Sequence, residues 1–339
     1  MTGPAPRVLA LRALGLGDLL TAVPALRALR RAHPGHRLVL AAPGWLAEAA
    51  AATGAVDELL PAAAPGRGVP SHLPWPGPPP DCAVDLHGNG PASLAPLRAL
   101  RPARLLAYAD PAGPDWRPEE HERARWCRLL DWYGLPTDPA DLALAAPPLP
   151  SPAPGAVVVH PGADAGARRW PAERFAAVAR GLRRAGRRVV LTGGPGEEHL
   201  VRRVAELAGL PPQAVALRLP FGQLAALVAA ARAVLVGDTG IAHLATALGT
   251  PSVLLFGPVS PRLWGPPAGP RHRVLWHPDD PAEPVPGDPH GTRPDPRLLR
   301  ITPREVLAAL HALPPAPPPP RATRGDRHTV CPRPTPQPT

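Results

Sequence analysis

The chain has 339 residues, 45% of them hydrophobic, with 56 prolines and 37 basic residues against 27 acidic ones, a formal net charge of +10. That length is enough for two α/β domains with separate cores. A mean hydropathy of −0.08, with no apolar run near the roughly 18 residues of a spanning helix, excludes collagen, coiled coil and multi-span membrane protein. All the basic residues are arginines, which reads as a coding preference as much as a choice of chemistry. The charge is uneven: residues 1–155 are neutral, residues 156–313 carry +7 and residues 314–339 carry +3. An excess confined to the second half points to an anionic ligand such as a phosphate, or to an acidic membrane surface. Only 4% of residues are aromatic, which argues against nucleic acid as the partner. Cys82, Cys127 and Cys331 are too scattered for a disulfide framework or a Cys-x-x-Cys metal site. Arg12 and Asp18 interrupt the apolar start, so no signal peptide is expected and the predicted location is the cytoplasm.

The first strand is predicted at Val8–Leu11, followed by a turn at Gly15 and Gly17 and a helical pattern through Leu19, Val23, Leu26 and Arg30. Pro24 should kink that helix or confine its regular bonding to either side. Strands follow at Arg37–Ala41 and Cys82–Leu86, separated by a surface loop with eight prolines in residues 61–80, and a helix is predicted around residues 119–134. Seven prolines in residues 136–154 mark a linker. The pattern then restarts as strand Ala156–His160, helix Pro171–Ala185 with Pro171 near its first position, strand Arg187–Thr192 and helix Glu197–Leu207. Helix Phe221–Ala231, strand Ala233–Val236, helix Ile241–Leu248, strand Ser252–Phe256 and a last helix Pro303–Leu313 complete it, with a proline-rich excursion at residues 278–296. Alternation in both halves predicts two parallel, doubly wound sheets with the ligand site in the cleft between them. The expected division is residues 1–150, residues 151–313 and a disordered Pro/Arg-rich tail at 314–339.

Three loops could carry chemistry. Leu14-Gly15-Leu16-Gly17-Asp18 lacks the third glycine of a dinucleotide fingerprint. Asp18, at a helix N-terminus, reads either as a mere cap or as a base able to take a hydroxyl proton. His160-Pro161-Gly162 leads to Arg168 and Arg169, a close-approach loop with charge beside it or simply a solvated pair before a helix. Val236-Gly237-Asp238-Thr239-Gly240-Ile241-Ala242-His243 makes a ready anion site at a helix start; equally, Asp238 is an N-cap and His243 a satisfied core histidine.

The segments GLGDLLTAVPALRAL, HPGADAGARRWPAERF, LTGGPGEEH and GDTGIAHLATALGTPSVLLFGP together resemble glycosyltransferase family 9, the lipopolysaccharide heptosyltransferase family, in order and spacing from about residue 7 to 313. The resemblance implies the GT-B fold, two Rossmann-like domains facing across a cleft. It implies metal-independent, inverting transfer of a heptose or hexose from a nucleotide-diphosphate donor to a cell-envelope or other glycan acceptor, with no cofactor. The chain contains no Asp-x-Asp, which agrees. By position, Asp18 matches the family's general base, and Arg168 stands where the family has a lysine on the donor diphosphate. Asp238, Thr239 and Gly240 match the donor loop with His243 one turn on; Gly17 and Gly162 line it, and Glu197 or Glu198, of which Glu198 is favoured, falls near the ribose contact. The rival readings are an epimerase or hydrolase of the same fold and a non-catalytic nucleotide-sugar-binding protein. The basic second half and tail are expected to permit peripheral contact with acidic lipid.

Overall fold

A computed structural model describes residues 5–315, the side chain of Arg67 excepted. The first half runs β1 (Arg7–Leu11), α1 (Leu16–Thr21), α2 (Val23–Ala32), β2 (Arg37–Ala42), α3 (Ala47–Ala52), β3 (Glu58–Pro61), β4 (Cys82–Asp85), α4 (Pro91–Arg98), β5 (Arg104–Leu106) and α5 (Glu122–Trp132). Its five strands are all parallel, in the order β3-β2-β1-β4-β5. The helical run expected around Pro24 is two helices split at Ala22, with Pro24 in the first turn of the second, where its missing N–H costs nothing.

The second half runs β6 (Val157–His160), α6 (Ala172–Arg184), β7 (Val189–Gly193), α7 (Glu198–Ala208), β8 (Val215–Leu217), α8 (Phe221–Ala229), β9 (Ala233–Gly237), α9 (Gly240–Ala247), β10 (Ser252–Leu255), α10 (Pro261–Trp264), β11 (His272–Leu275), α11 (Pro296–Arg300) and α12 (Pro303–His311). Here the order is β11-β10-β9-β6-β7-β8, again wholly parallel. Pro171 is the N-cap of α6 and not its first residue. The expected tail lies outside the described residues from 316 onward.

Both sheets are buried on both faces, as parallel sheets must be. One face of the second sheet packs Trp170, Phe175 and Leu182 with Leu298, Val306 and Leu310, so the last two helices close the second half. Its other face shares a single apolar cluster with the first half: Leu20 and Val23 pack with Leu227, Ile241 and Leu244. The proline-rich segment between the sheets has no helix or strand and is nonetheless clamped. Arg27 and Arg31 of α2 hold Asp141 at 2.6 and 2.7 Å, and Leu144 donates its N–H to the Ala247 carbonyl. No helix among the described residues is long and apolar enough to cross a membrane.

Candidate active site

A parallel sheet offers a crevice where its strand order reverses, because the loops on either side leave in opposite directions. In the first sheet that point lies between β1 and β4, in the second between β6 and β9. The Asp18, His160–Arg168 and Asp238–Gly240 loops are therefore three of the four loops that flank the two crevices. The fourth follows β4 and begins Leu86-His87-Gly88.

Asp18 is the third residue of α1 and is 5% exposed. Its Oδ2 accepts the Gly15 N–H at 3.0 Å, satisfying one of the donors a helix start leaves free. Its Oδ1 lies 3.6 Å from Nη2 of Arg12, a guanidinium with no exposed side-chain surface. The same Nη2 reaches Glu122 Oε1 at 2.8 Å, while Nε and Nη1 donate to the carbonyls of Asp18 and Leu86. Trp126 stacks on the guanidinium, 4.8 Å to its centroid, and donates Nε1–H to Glu122. Burial pushes the Glu122 pKa up, but the charges of Arg12 and Arg125 prevail and hold it below the ordinary glutamate value. Asp18 is thus a member of a cluster of buried charges that reaches α5. Nothing in the local sequence advertised Arg12 or Glu122, because the partners are 110 residues apart.

The N-termini of α1 and α9 meet head to head. A Cβ on Gly17 would stand 2.8 Å from His243 Cδ2, and one on Gly240 would stand 3.0 Å from Leu16 Cβ and 3.2 Å from the Gly17 nitrogen. Glycine at both places is what lets the Asp18 turn approach the Asp238 turn. His243 lies in the seam. Burial pushes its pKa down, while the carboxylates of Asp238 and Asp18, one from each half, pull the other way. A second tie crosses nearby. His121 Nδ1 accepts the Arg123 N–H, so Nε2 carries the proton and donates to the Gly265 carbonyl at 2.9 Å.

On the opposite wall Arg168 Nη1 is 3.4 Å from Asp238 Oδ2. Thr239 is the N-cap of α9, yet its hydroxyl, though buried, has no hydrogen-bond partner among the described residues, and neither does Nε of Arg168. A hydroxyl and a guanidinium N–H left unsatisfied beside an eight-residue helix's first N–H groups suit a phosphate group. In the loop after β6, Gly162 packs on a carboxylate: a Cβ there would fall 2.0 Å from Glu197 Oε1. Glu197 also accepts the Gly194 N–H at 2.7 Å and lies 3.6 Å from Nε2 of His160, whose pKa burial lowers against the pull of that carboxylate. Glu198, the favoured ribose candidate, is not at this place: it pairs with Arg218 on the surface. The reason is helical phase, since Glu197 caps α7 and the next residue turns about 100° away.

Residues 134–286 match the family model of glycosyltransferase family 9 (heptosyltransferase). Lipopolysaccharide heptosyltransferase 2 of Salmonella typhimurium is 32% identical over 163 residues, 45% of each chain. Lipopolysaccharide heptosyltransferase 1 of Pseudomonas aeruginosa is 34% identical over 167 residues, 48% of this chain and 46% of the relative. The matched segment thus spans about half the length of these curated relatives. The solved E. coli ADP-heptose lipopolysaccharide heptosyltransferase II superposes with a TM-score of 0.69 at 21% identity, covering 90% of this chain and 98% of that one. E. coli heptosyltransferase WaaC with ADP-2-deoxy-2-fluoro heptose does so at 0.58 and 21%, covering 90% and 99%. The fold is therefore GT-B, two Rossmann-like domains across a cleft, and residues 134–286 carry the sequence similarity to glycosyltransferase family 9.

Proposed function

We propose that the protein is an inverting, metal-independent glycosyltransferase that moves a sugar from a nucleotide-diphosphate donor to a hydroxyl of a glycan or glycolipid acceptor. One observation carries the reading: the Asp18 turn meets the Asp238–Gly240 turn, flanked by Arg168, at a seam between the two sheets, with His243 under the influence of both carboxylates. Residues 1–150 then form the acceptor side and residues 151–313 the donor side. The acceptor oxygen attacks the anomeric carbon as the bond to the diphosphate breaks. The electron pair leaves with the diphosphate and the acceptor proton passes to Asp18. Arg168, the Thr239 hydroxyl and the first N–H groups of α9 stabilise the departing charge, each well-placed donor worth ~3 kcal/mol. Base and leaving group on opposite walls require attack from the far face, hence inversion. Arg12 orients Asp18 and is itself held by Glu122.

The names of the relatives and the ligand of the WaaC neighbour make ADP-heptose the first donor to test and heptose-deficient lipopolysaccharide the first acceptor. The site of action we infer is the cytoplasm, with peripheral docking on acidic lipid through the basic second half, which high salt should reverse. The full chain should form a product of inverted anomeric configuration at a rate unchanged by EDTA. Retained configuration, loss of activity in EDTA, or equally fast sugar release without acceptor would each contradict the proposal.

A further inference from the structure

We propose that His87 binds the acceptor sugar, donating a hydrogen bond from Nε2 to a hydroxyl oxygen next to the one that attacks. The inference rests on the transfer reading above and adds a residue to its acceptor side. Its first support is topological. The loops after β6 and β9 flank the second sheet's reversal and both furnish groups for the donor, whereas in the first sheet the loop after β1 furnishes Asp18 and its partner after β4 has had no role. That partner presents His87.

The second support is the way the ring is held. The Ala13 N–H donates to His87 Nδ1 at 3.1 Å, so the neutral ring carries its proton on Nε2, which makes no hydrogen bond to any described residue. The turn beneath is locked from behind: fully buried Asp85 accepts the N–H groups of His87 and Gly88 at 2.9 and 3.2 Å. Such anchoring fixes one tautomer and one ring direction, the conditions for a directional donor. Ala13 and His87 each lie two residues past the ends of the adjacent strands β1 and β4, next to the turn that carries Asp18. Burial and the Arg12 charge keep the ring neutral, with a pKa pushed down to about 4 against the pull of Asp18. A neutral N–H can donate to a sugar hydroxyl without adding a cation beside the base.

Two variants separate substrate binding from a purely structural part. In His87→Asn the side-chain oxygen replaces Nδ1 as acceptor for the Ala13 N–H, but nothing reaches the place of Nε2. In His87→Gln the amide N–H lies near that place. With ADP-heptose and heptose-deficient lipopolysaccharide, His87→Asn should lower kcat/KM for the acceptor about tenfold or more, the loss of one hydrogen bond to a buried-site partner. Its ADP affinity and acceptor-free donor hydrolysis should not change, and His87→Gln should recover most of the loss. Wild-type acceptor kinetics in His87→Asn would overturn the inference and leave the transfer reading intact. Absence of any transfer by the wild-type chain would overturn both. Nitrogen-15 NMR of labelled histidine gives a test independent of the acceptor: His87 protonated on Nδ1 at pH 7 would refute the proposal.

Discussion

Arg12 holds together groups that the sequence keeps far apart, and the site's first testable behaviour follows from it. Removing the Glu122 charge leaves a buried guanidinium beside Asp18 with one counter-charge fewer. Glu122→Gln should therefore cost about 3–5 kcal/mol in denaturant unfolding, the range for breaking a buried pair. The pH dependence has a definite sign. The folded Glu122 pKa lies below the ordinary value of 4.5, so its contribution is complete above that pH and is lost as pH falls through the folded value. Glu122→Gln should flatten that acid limb, and an unchanged limb would refute the account. For His87 the folded value of about 4 lies below the ordinary 6.5. The unfolded chain then binds the extra proton, so stability should rise with pH between those values, and His87→Asn should reduce the slope. The proposed Asp18 and Asp238–Gly240 turns stood out in the sequence because glycines flank them at strand ends, and Arg168 because of the resemblance to the family. Arg12, Glu122 and His87 were not, because what defines them is a partner in another strand or helix.

Among the elements, the strands that the sequence did not announce are β3, β5, β8 and β11, and these are the four edges of the two sheets. Each has only three or four residues and carries half-exposed or exposed positions, as in Glu58, Arg104 and His272. The central strands, buried on both faces, read as unbroken apolar runs and were legible. The starts of α6, α7, α8, α9 and α12 were placed within one residue, and at the start of α7 a single step separates Glu197, beside the Gly162 loop, from Glu198, which pairs with Arg218 on the surface. Gly162 permits a direct check. Gly162→Ala must displace the Glu197 carboxylate from the loop, so nucleotide affinity should fall about tenfold while the melting temperature changes little. Equal affinity would separate Glu197 from the donor site. Gly240→Ala should push α9 off Leu16 and Gly17, lowering transfer more than nucleotide binding.

At the scale of the molecule, the proposed site draws on both halves. The first half brings a carboxylate with its supporting charges, and the second brings unsatisfied donors at a helix start. The shared cluster of Leu20, Val23, Ile241 and Leu244 fixes the two walls against each other. Two-sheet architecture could be read from strand–helix alternation, but head-to-head contact of α1 and α9 could not, since it depends on packing between segments more than 200 residues apart. The division of labour between the walls is the central claim, and calorimetric titration of ADP into the wild type, Asp18→Asn and Thr239→Val tests it most directly. Asp18→Asn should bind within about twofold of the wild type although it has lost transfer, whereas Thr239→Val should bind about tenfold more weakly, near 1.4 kcal/mol. Equal weakening in both variants, or wild-type affinity in Thr239→Val, would contradict the account.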